Sequence, residues 1–165
     1  MKSEGLIRNL VFGVEDGLVS TLGFVSGIAA VHIGNETLLL TGIVLIFAEA
    51  FSMAAGSFLT AESVRDFKAK RGRSYVSSVL GAVVMFFAYI GAGSLVLAPY
   101  FVAWPGPALG ISIAVSLTAL FLLGVFSARA ARVPALARGL RAVLVGGAAI
   151  GIGIVVARTV MNSFL

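Results

Sequence analysis

The chain has 165 residues, of which 59% are hydrophobic and only 12% are charged, with 12 basic residues, 7 acidic residues and no cysteine. A soluble domain carries about 25% charged residues, so this composition excludes an ordinary soluble protein and predicts an all-α integral membrane protein. The lack of cysteine excludes disulfides, thiolate metal sites and cysteine catalysis.

Five apolar segments are predicted to cross the membrane as helices in a single transmembrane domain. Each has the roughly 20 residues that a helix needs to span the hydrocarbon layer, and residues 74–128 carry no charge at all. The third segment is expected to end before Pro99, because prolines lack the backbone donor that a helix requires. The predicted spans are 9–33, 37–61, 76–97, 108–128 and 141–163.

The basic residues predict the orientation, because Lys and Arg accumulate in short cytoplasmic loops. Eleven of the twelve lie in the N-terminal tail and in the second and fourth connections, and only Arg158 lies at the opposite end of a span. We therefore expect a cytoplasmic N-terminus and a C-terminus that is outside or luminal. The positive charge is expected to face lipid headgroups rather than nucleic acid, with Arg158 as an interfacial anchor.

Three acidic residues, Glu15, Asp16 and Glu49, fall inside predicted spans, where acids are costly and mark functional sites. Counted along the helices, Asp16 and Met53 both lie about 10–12 Å below the cytoplasmic surface, and Glu49 lies one turn deeper. Carboxylates with one thioether suit a divalent first-row cation such as ferrous iron. A carboxyl group in a low dielectric also retains a proton more readily than in water, which allows a proton to be exchanged for a metal ion.

Each of the two helices continues from its acid along one face of small and hydroxyl residues. Such a face allows close helix approach and lines a narrow path. The faces are Asp16, Ser20, Gly23 and Gly27 in the first span, and Glu49, Met53, Gly56 and Thr60 in the second. The alternative is a structural role for each residue. Met53 would then be a packing residue, Glu49 a structural acid capped by a neighbouring side chain, and Asp16-Gly17 a helix start or kink.

The remaining acids lie near the ends of the spans, where solvation or ion pairing also explains them. Glu62 and Asp66 follow the second span beside the basic connection, and Glu36 and His32 lie in the outer loop. In a metal path, Glu15 and Glu62 are the candidates for the cytoplasmic mouth, and Glu36 and His32 for the exit.

Two segments carry a family resemblance. Residues 12–27, FGVEDGLVSTLGFVSG, resemble the first-span signature of the vacuolar iron transporter family, and residues 48–59, AEAFSMAAGSFL, resemble its second-span signature. The resemblance covers spans one and two, whereas spans three to five match in count and glycine content. It implies a homodimer that carries ferrous iron, and often manganese, out of the cytoplasm in exchange for protons. The implied path lies on the two-fold axis between spans one and two, with Asp16 and Met53 as metal ligands and Glu49 at an acidic position of the second motif.

The chain also departs from that family pattern. Many relatives have a Glu-rich helical insertion between spans two and three that captures metal, but here residues 62–75 are short and basic. This predicts a short form without the capture domain. Ser57 stands where relatives often have Gly or Glu, and Glu15 where they often have Asn.

The leading hypothesis is a dimeric, proton-coupled exporter of ferrous iron or manganese in the cell (inner) membrane, with an organelle membrane as the alternative. One rival is a transporter of another cation on the same scaffold, such as an organic cation neutralised by Glu49. Another is a structural membrane subunit in which Asp16 and Glu49 join helices. An enzyme is not expected, because one histidine and no cysteine leave no nucleophile–base set. No cofactor is expected beyond the transported metal.

Overall fold

The computed structural model describes residues 2–67, 75–102 and 105–164, and this part of the chain is helical apart from two short connections at 31–34 and 131–134. The five helices are α1 Lys2–Ala30, α2 Asn35–Phe67, α3 Tyr75–Val102, α4 Pro105–Ala130 and α5 Ala135–Phe164. Each is long and apolar enough to cross a membrane. The predicted five-span, all-α fold is therefore confirmed. Most of the basic second connection, at residues 68–74, lies outside the described residues.

The helices extend beyond the predicted spans, and the clearest difference is at Pro99. The expected end of the third helix near residue 97 is wrong, because α3 continues through Pro99 to Val102. A proline disturbs the carbonyl groups of the preceding turn, and membrane helices tolerate it where a neighbour satisfies them. Pro99 removes the helical partner of the Leu95 carbonyl, four residues earlier. In the same turn, Ser112 Oγ of α4 donates to the carbonyl oxygen of Val96 at 2.7 Å and links this part of α3 to α4. Similarly, α5 begins at Ala135 rather than at residue 141.

Helix α1 lies at the centre of the bundle. Half of its most apolar stretch is buried, compared with 6% in α5, and the core includes Leu18, Leu22 and Val25 of this helix. It packs against α3 and α5, while α2 packs mainly on α3 and α4 mainly on α5. Three polar residues of α1, Asn9, Thr21 and Ser26, are therefore buried inside the bundle.

Two glycine pairs on different sides of α1 explain this central position. Gly13 and Gly17 face α3: a Cβ on Gly17 would lie 2.8 Å from the carbonyl oxygen of Tyr89. Gly23 and Gly27 face α5 in the same way, against Ala149 and Gly153. Small residues allow backbones to approach this closely in membrane helix pairs. Each pair therefore brings one neighbouring helix into direct contact with the α1 backbone.

The orientation of the bundle is open to a direct test, because the chain has no native cysteine. We expect a cysteine at Ala131, in the α4–α5 connection, to react with a membrane-impermeant maleimide only after cells are permeabilised. A cysteine at Gly34, in the α1–α2 connection, is expected to react in intact cells. Labelling both variants and separating the proteins by gel shift checks this expectation, and the reverse pattern would overturn the predicted orientation.

Candidate ion-binding site

Three helices meet around the carboxyl group of Glu49. Ser20 Oγ of α1 donates a hydrogen bond to Glu49 Oε2 at 2.9 Å, and the Tyr89 hydroxyl of α3 donates to the same oxygen. The two hydroxyl groups also contact each other. Tyr89 is 0% exposed, whereas Glu49 is half-buried. The acid that the sequence places near the membrane midplane is thus held by hydroxyl groups from two other helices.

Tyr89 belongs to this candidate site, and sequence reasoning did not identify it. It lies in the uncharged third span, where nothing in the local pattern marks it as polar. A tyrosine in such a span normally needs a partner for its hydroxyl group when it is buried. That rule identifies Tyr89 as a candidate for a polar contact, but only the packing of α3 on α1 and α2 shows that the partner is Glu49.

Asp16 and Met53 lie one turn away from this network, on the same side of it. Asp16 precedes Ser20 by four residues in α1, and Met53 follows Glu49 by four residues in α2. Because α1 and α2 run antiparallel, the Ser20–Glu49 hydrogen bond places Asp16 and Met53 at the same level. Met53 packs partly against the core. Asp16 is half-buried, and its carboxylate has no hydrogen-bond or ion-pair partner among the described residues.

A second polar link joins α1 to α2, about three turns nearer the N-terminus of α1 than the Ser20–Glu49 hydrogen bond. Asn9 is buried, and its Nδ2 atom donates to Ser57 Oγ at 2.8 Å. Gly81 of α3 makes room for this amide, since a Cβ there would lie 2.7 Å from Nδ2. Ser57, which departs from the family pattern, therefore has a structural role as the partner of Asn9. In the sequence, Asn9 marks only the start of the first predicted span, and nothing local to it indicates the contact with Ser57.

The glycines of the two predicted path faces have different surroundings. Gly23 and Gly27 of α1 contact α5, so they serve helix packing within one chain. Gly56 and Thr60 of α2 are exposed, and a Cβ on Gly56 would meet nothing within 4 Å. The α2 face thus stays open beyond Met53. On the α1 face, Gly23 and Gly27 pack against α5, and together with Ser20 they also line a cavity of about 650 Å³ between the two helices.

The residues predicted for the mouth and exit occupy the two ends of the bundle. Glu62 forms an ion pair with Arg65, with 2.7 Å between the charged atoms. The same arginine lies 3.7 Å from the carboxylate of Asp66. Glu36 is exposed in the first turn of α2, where a carboxylate interacts favourably with the helix dipole. His32 is exposed in the connection that follows α1, where its φ is 56°.

Glu15 is half-buried and lines a cavity with Arg138 and Arg141. Within residues 2–67, 75–102 and 105–164, no three His, Cys, Asp or Glu side chains converge to hold a metal ion. One copy of the chain therefore brings Asp16, Met53 and Glu49 near one another without assembling a complete ligand set.

We expect Tyr89→Phe to lower the free energy of unfolding by about 1–3 kcal/mol, because the Glu49 carboxyl group loses a buried donor. Unfolding in mixed detergent micelles measures this change. Tyr75→Phe is the matched control: Tyr75 is exposed, and its contact with Phe58 is through the ring. The double variant Glu49→Gln/Tyr89→Phe should lose less free energy of unfolding than the sum of the losses in the two single variants, because the two side chains contact each other. Wild-type stability in Tyr89→Phe would contradict the assigned contact.

The fold and this site define a multi-pass helical membrane protein with an acidic, hydroxyl-lined centre. Comparison with known proteins identifies it further: the model of the VIT family matches residues 7–75 and 68–158. The chain belongs to the VIT family.

Named relatives show how far the similarity extends. Vacuolar iron transporter homolog 5 of Oryza sativa subsp. japonica is 31% identical over 158 residues, which cover 88% of this chain and 76% of the relative. Vacuolar iron transporter homolog 4 of Arabidopsis thaliana is 31% identical over 152 residues, covering 86% and 76%. Vacuolar iron transporter 1 of Arabidopsis thaliana is 31% identical over 65 residues, covering 39% and 26%.

These matches confirm the family resemblance and correct its extent. The resemblance stated from the sequence covered spans one and two, but the matches to the rice and Arabidopsis homologs cover most of the chain. The two family-model matches overlap at residues 68–75. This overlap falls in the connection between spans two and three, where many relatives are expected to have the capture insertion and this chain is expected to lack it.

Proposed function

We propose that this protein is a proton-coupled exporter of a divalent metal, ferrous iron or manganese, in the cell's inner membrane. The observation that carries the proposal is the unpartnered carboxylate of Asp16 at the level of the Met53 thioether, one turn from Glu49. Carboxylate oxygen and thioether sulfur together favour a borderline cation over Mg²⁺ or Ca²⁺. The names of the relatives, vacuolar iron transporter and its homologs, point to iron.

A homodimer would complete the ligand set. A first-row divalent cation takes about four to six ligands, and one chain offers one carboxylate and one thioether at this level. In a two-fold dimer the same surface meets its own copy, so a second Asp16 and a second Met53 would face the first pair. The open space beside Gly56 on α2 supports this arrangement, because it leaves room for another helix.

Glu49 is the proposed proton carrier. Its Oε2 atom accepts hydrogen bonds from Ser20 and Tyr89, which hold the carboxyl group in place in either protonation state. A metal ion that moves from the level of Asp16 and Met53 towards Glu49 favours the ionised carboxylate and so releases its proton. The proton returns after the metal leaves towards the outer end, near Glu36 and His32.

At the cytoplasmic mouth, a metal ion has to compete with arginine side chains for the carboxylates. Glu62 is already paired with Arg65, so an arriving metal ion has to displace a guanidinium group. Glu15 lies in a cavity with two arginines, which disfavour a free cation. Asp16 itself is therefore the first unpaired carboxylate that a metal ion meets along α1.

Reconstitution into liposomes tests the proposal. Vesicles with an acidic lumen, a luminal metal-sensitive dye and a luminal pH dye are mixed with Fe²⁺ or Mn²⁺. We expect metal uptake together with a rise in luminal pH. Uptake of neither metal would overturn metal transport, and uptake at constant luminal pH would overturn proton coupling. Inhibition of uptake by an excess of tetraethylammonium would favour the rival cargo, an organic cation.

The three-helix contact of Glu49 is the specific observation in favour of a structural role. If Glu49 only joins helices, Glu49→Gln should lower stability without changing the flux per folded protein. If Glu49 carries the proton, Glu49→Gln should abolish the change in luminal pH. Measuring the flux of Glu49→Gln, normalised to folded protein, separates the two functions.

A further inference from the structure

A cavity of about 570 Å³ opens between α4 and α5, near the end of the bundle where α4 ends and α5 begins. Its volume falls in the range of small-molecule sites, roughly 300–1,000 Å³. The inner wall is apolar, with Leu120 and Leu123 of α4 and Val145 of α5, and Glu15 of α1 reaches it from the bundle. Outside the cavity, Leu140 and Leu144 of α5 are exposed, as expected for a surface against acyl chains.

The cavity carries charges of both signs that do not neutralise one another. Arg138 and Arg141 of α5 and Glu15 of α1 all line it. None of the three has an ion-pair partner among the described residues. The first turn of α5 contains no acidic residue, so the positive end of its dipole adds to the two arginines. The site therefore presents two exposed arginines on one side and a half-buried carboxylate on the other.

We propose that this cavity binds a phospholipid whose headgroup carries a primary ammonium group, of the phosphatidylethanolamine type. Arginine recognises phosphate oxygens through paired N–H donors, so Arg138 and Arg141 bind the phosphate. The lipid ammonium group donates to Glu15, and an acyl chain lies along Leu120, Leu123 and Val145. Basic pockets between membrane helices at the cytoplasmic side commonly hold lipid headgroups.

The charges favour this occupant over the other classes. Two guanidinium groups repel a free divalent cation, and the Glu15 carboxylate disfavours a headgroup with negative charge alone. A choline headgroup has a cation but no N–H donor for Glu15. A headgroup with both a phosphate and a hydrogen-bonding ammonium group offers a partner to each of the three side chains.

Native mass spectrometry of the detergent-purified protein tests this site, with dioleoyl phosphatidylethanolamine, phosphatidylcholine or phosphatidylglycerol added in turn. We expect the wild type to retain phosphatidylethanolamine about tenfold better than either other lipid, since charged hydrogen bonds contribute at least this much. Arg138→Gln/Arg141→Gln should lose retention of all three lipids. Glu15→Gln should lose the preference for phosphatidylethanolamine over phosphatidylglycerol.

Arg129→Gln is the matched control, because Arg129 is an exposed arginine of α4 that does not line the cavity; its lipid retention should equal that of the wild type. Equal retention of the three lipids by the wild type would overturn the proposal. So would an unchanged preference in Glu15→Gln, which stays informative if the double arginine variant fails to fold. Displacement of the lipid by soluble phosphoethanolamine at equal concentration would show that the acyl chain contributes nothing, and would also overturn it.

Discussion

Met53→Leu and Asp16→Asn are each expected to reduce metal transport by at least tenfold while leaving the five-helix bundle folded. Leucine matches the volume of methionine but lacks the sulfur, and such swaps in a packed site cost little stability. Asparagine keeps the shape of Asp16 and removes its charge. Changes to groups that only support metal ligands already cost about 10–100-fold, so the loss of a ligand should cost at least as much. Initial rates of Fe²⁺ and Mn²⁺ uptake in liposomes measure the effect.

Met161→Leu provides the matched control for Met53. Met161 is also half-buried, but it lies on α5 eight residues after Gly153. The contact of Gly153 with Gly27 is itself seven residues beyond Ser20 along α1. Its transport rate should equal that of the wild type. If Met53→Leu transports Fe²⁺ at the wild-type rate, the thioether is not a ligand and Met53 is a packing residue. If Asp16→Asn does so, the metal path does not use the charge of α1.

Gly27→Ala is expected to lower the free energy of unfolding by about 1–3 kcal/mol, the usual cost of overpacking. A Cβ at this position would lie 2.6 Å from the carbonyl oxygen of Gly153, which is backbone and cannot turn away as a side chain does. Helices α1 and α5 would have to separate, which would disturb the helix that carries Asp16 and Ser20. Thermal or detergent unfolding of the purified protein measures the loss.

Gly151→Ala isolates this steric effect from the general effect of adding a methyl group. Gly151 lies on α5 two residues before Gly153, and a Cβ there would meet nothing within 4 Å. Alanine favours a helix over glycine by up to about 1 kcal/mol, so this variant should be as stable as the wild type or slightly more stable. A loss in Gly151→Ala equal to that in Gly27→Ala would show that the close α1–α5 contact is not responsible.

Much of the fold was accessible from the sequence because the membrane restricts it strongly. A backbone in hydrocarbon must satisfy its own hydrogen bonds, so long apolar segments become helices, and five such segments became five helices. Pro99 shows the limit of this local rule. A proline predicts a helix end, but α3 continues through Pro99 to Val102. Ser112, thirteen residues further along the chain, links the turn before Pro99 to α4 through the carbonyl oxygen of Val96.

The candidate site divides in the same way. The sequence by itself determined the five spans and the acids inside them, because the cost of charge in hydrocarbon acts on each residue alone. It also placed Asp16 and Met53 at similar depth, since helical rise is constant. Only the tertiary structure decided that Tyr89 and Ser20 hold Glu49 and that Gly23 and Gly27 pack against α5. Those outcomes depend on which helices are neighbours and on how each is rotated, and neither property is encoded by the local pattern of one segment.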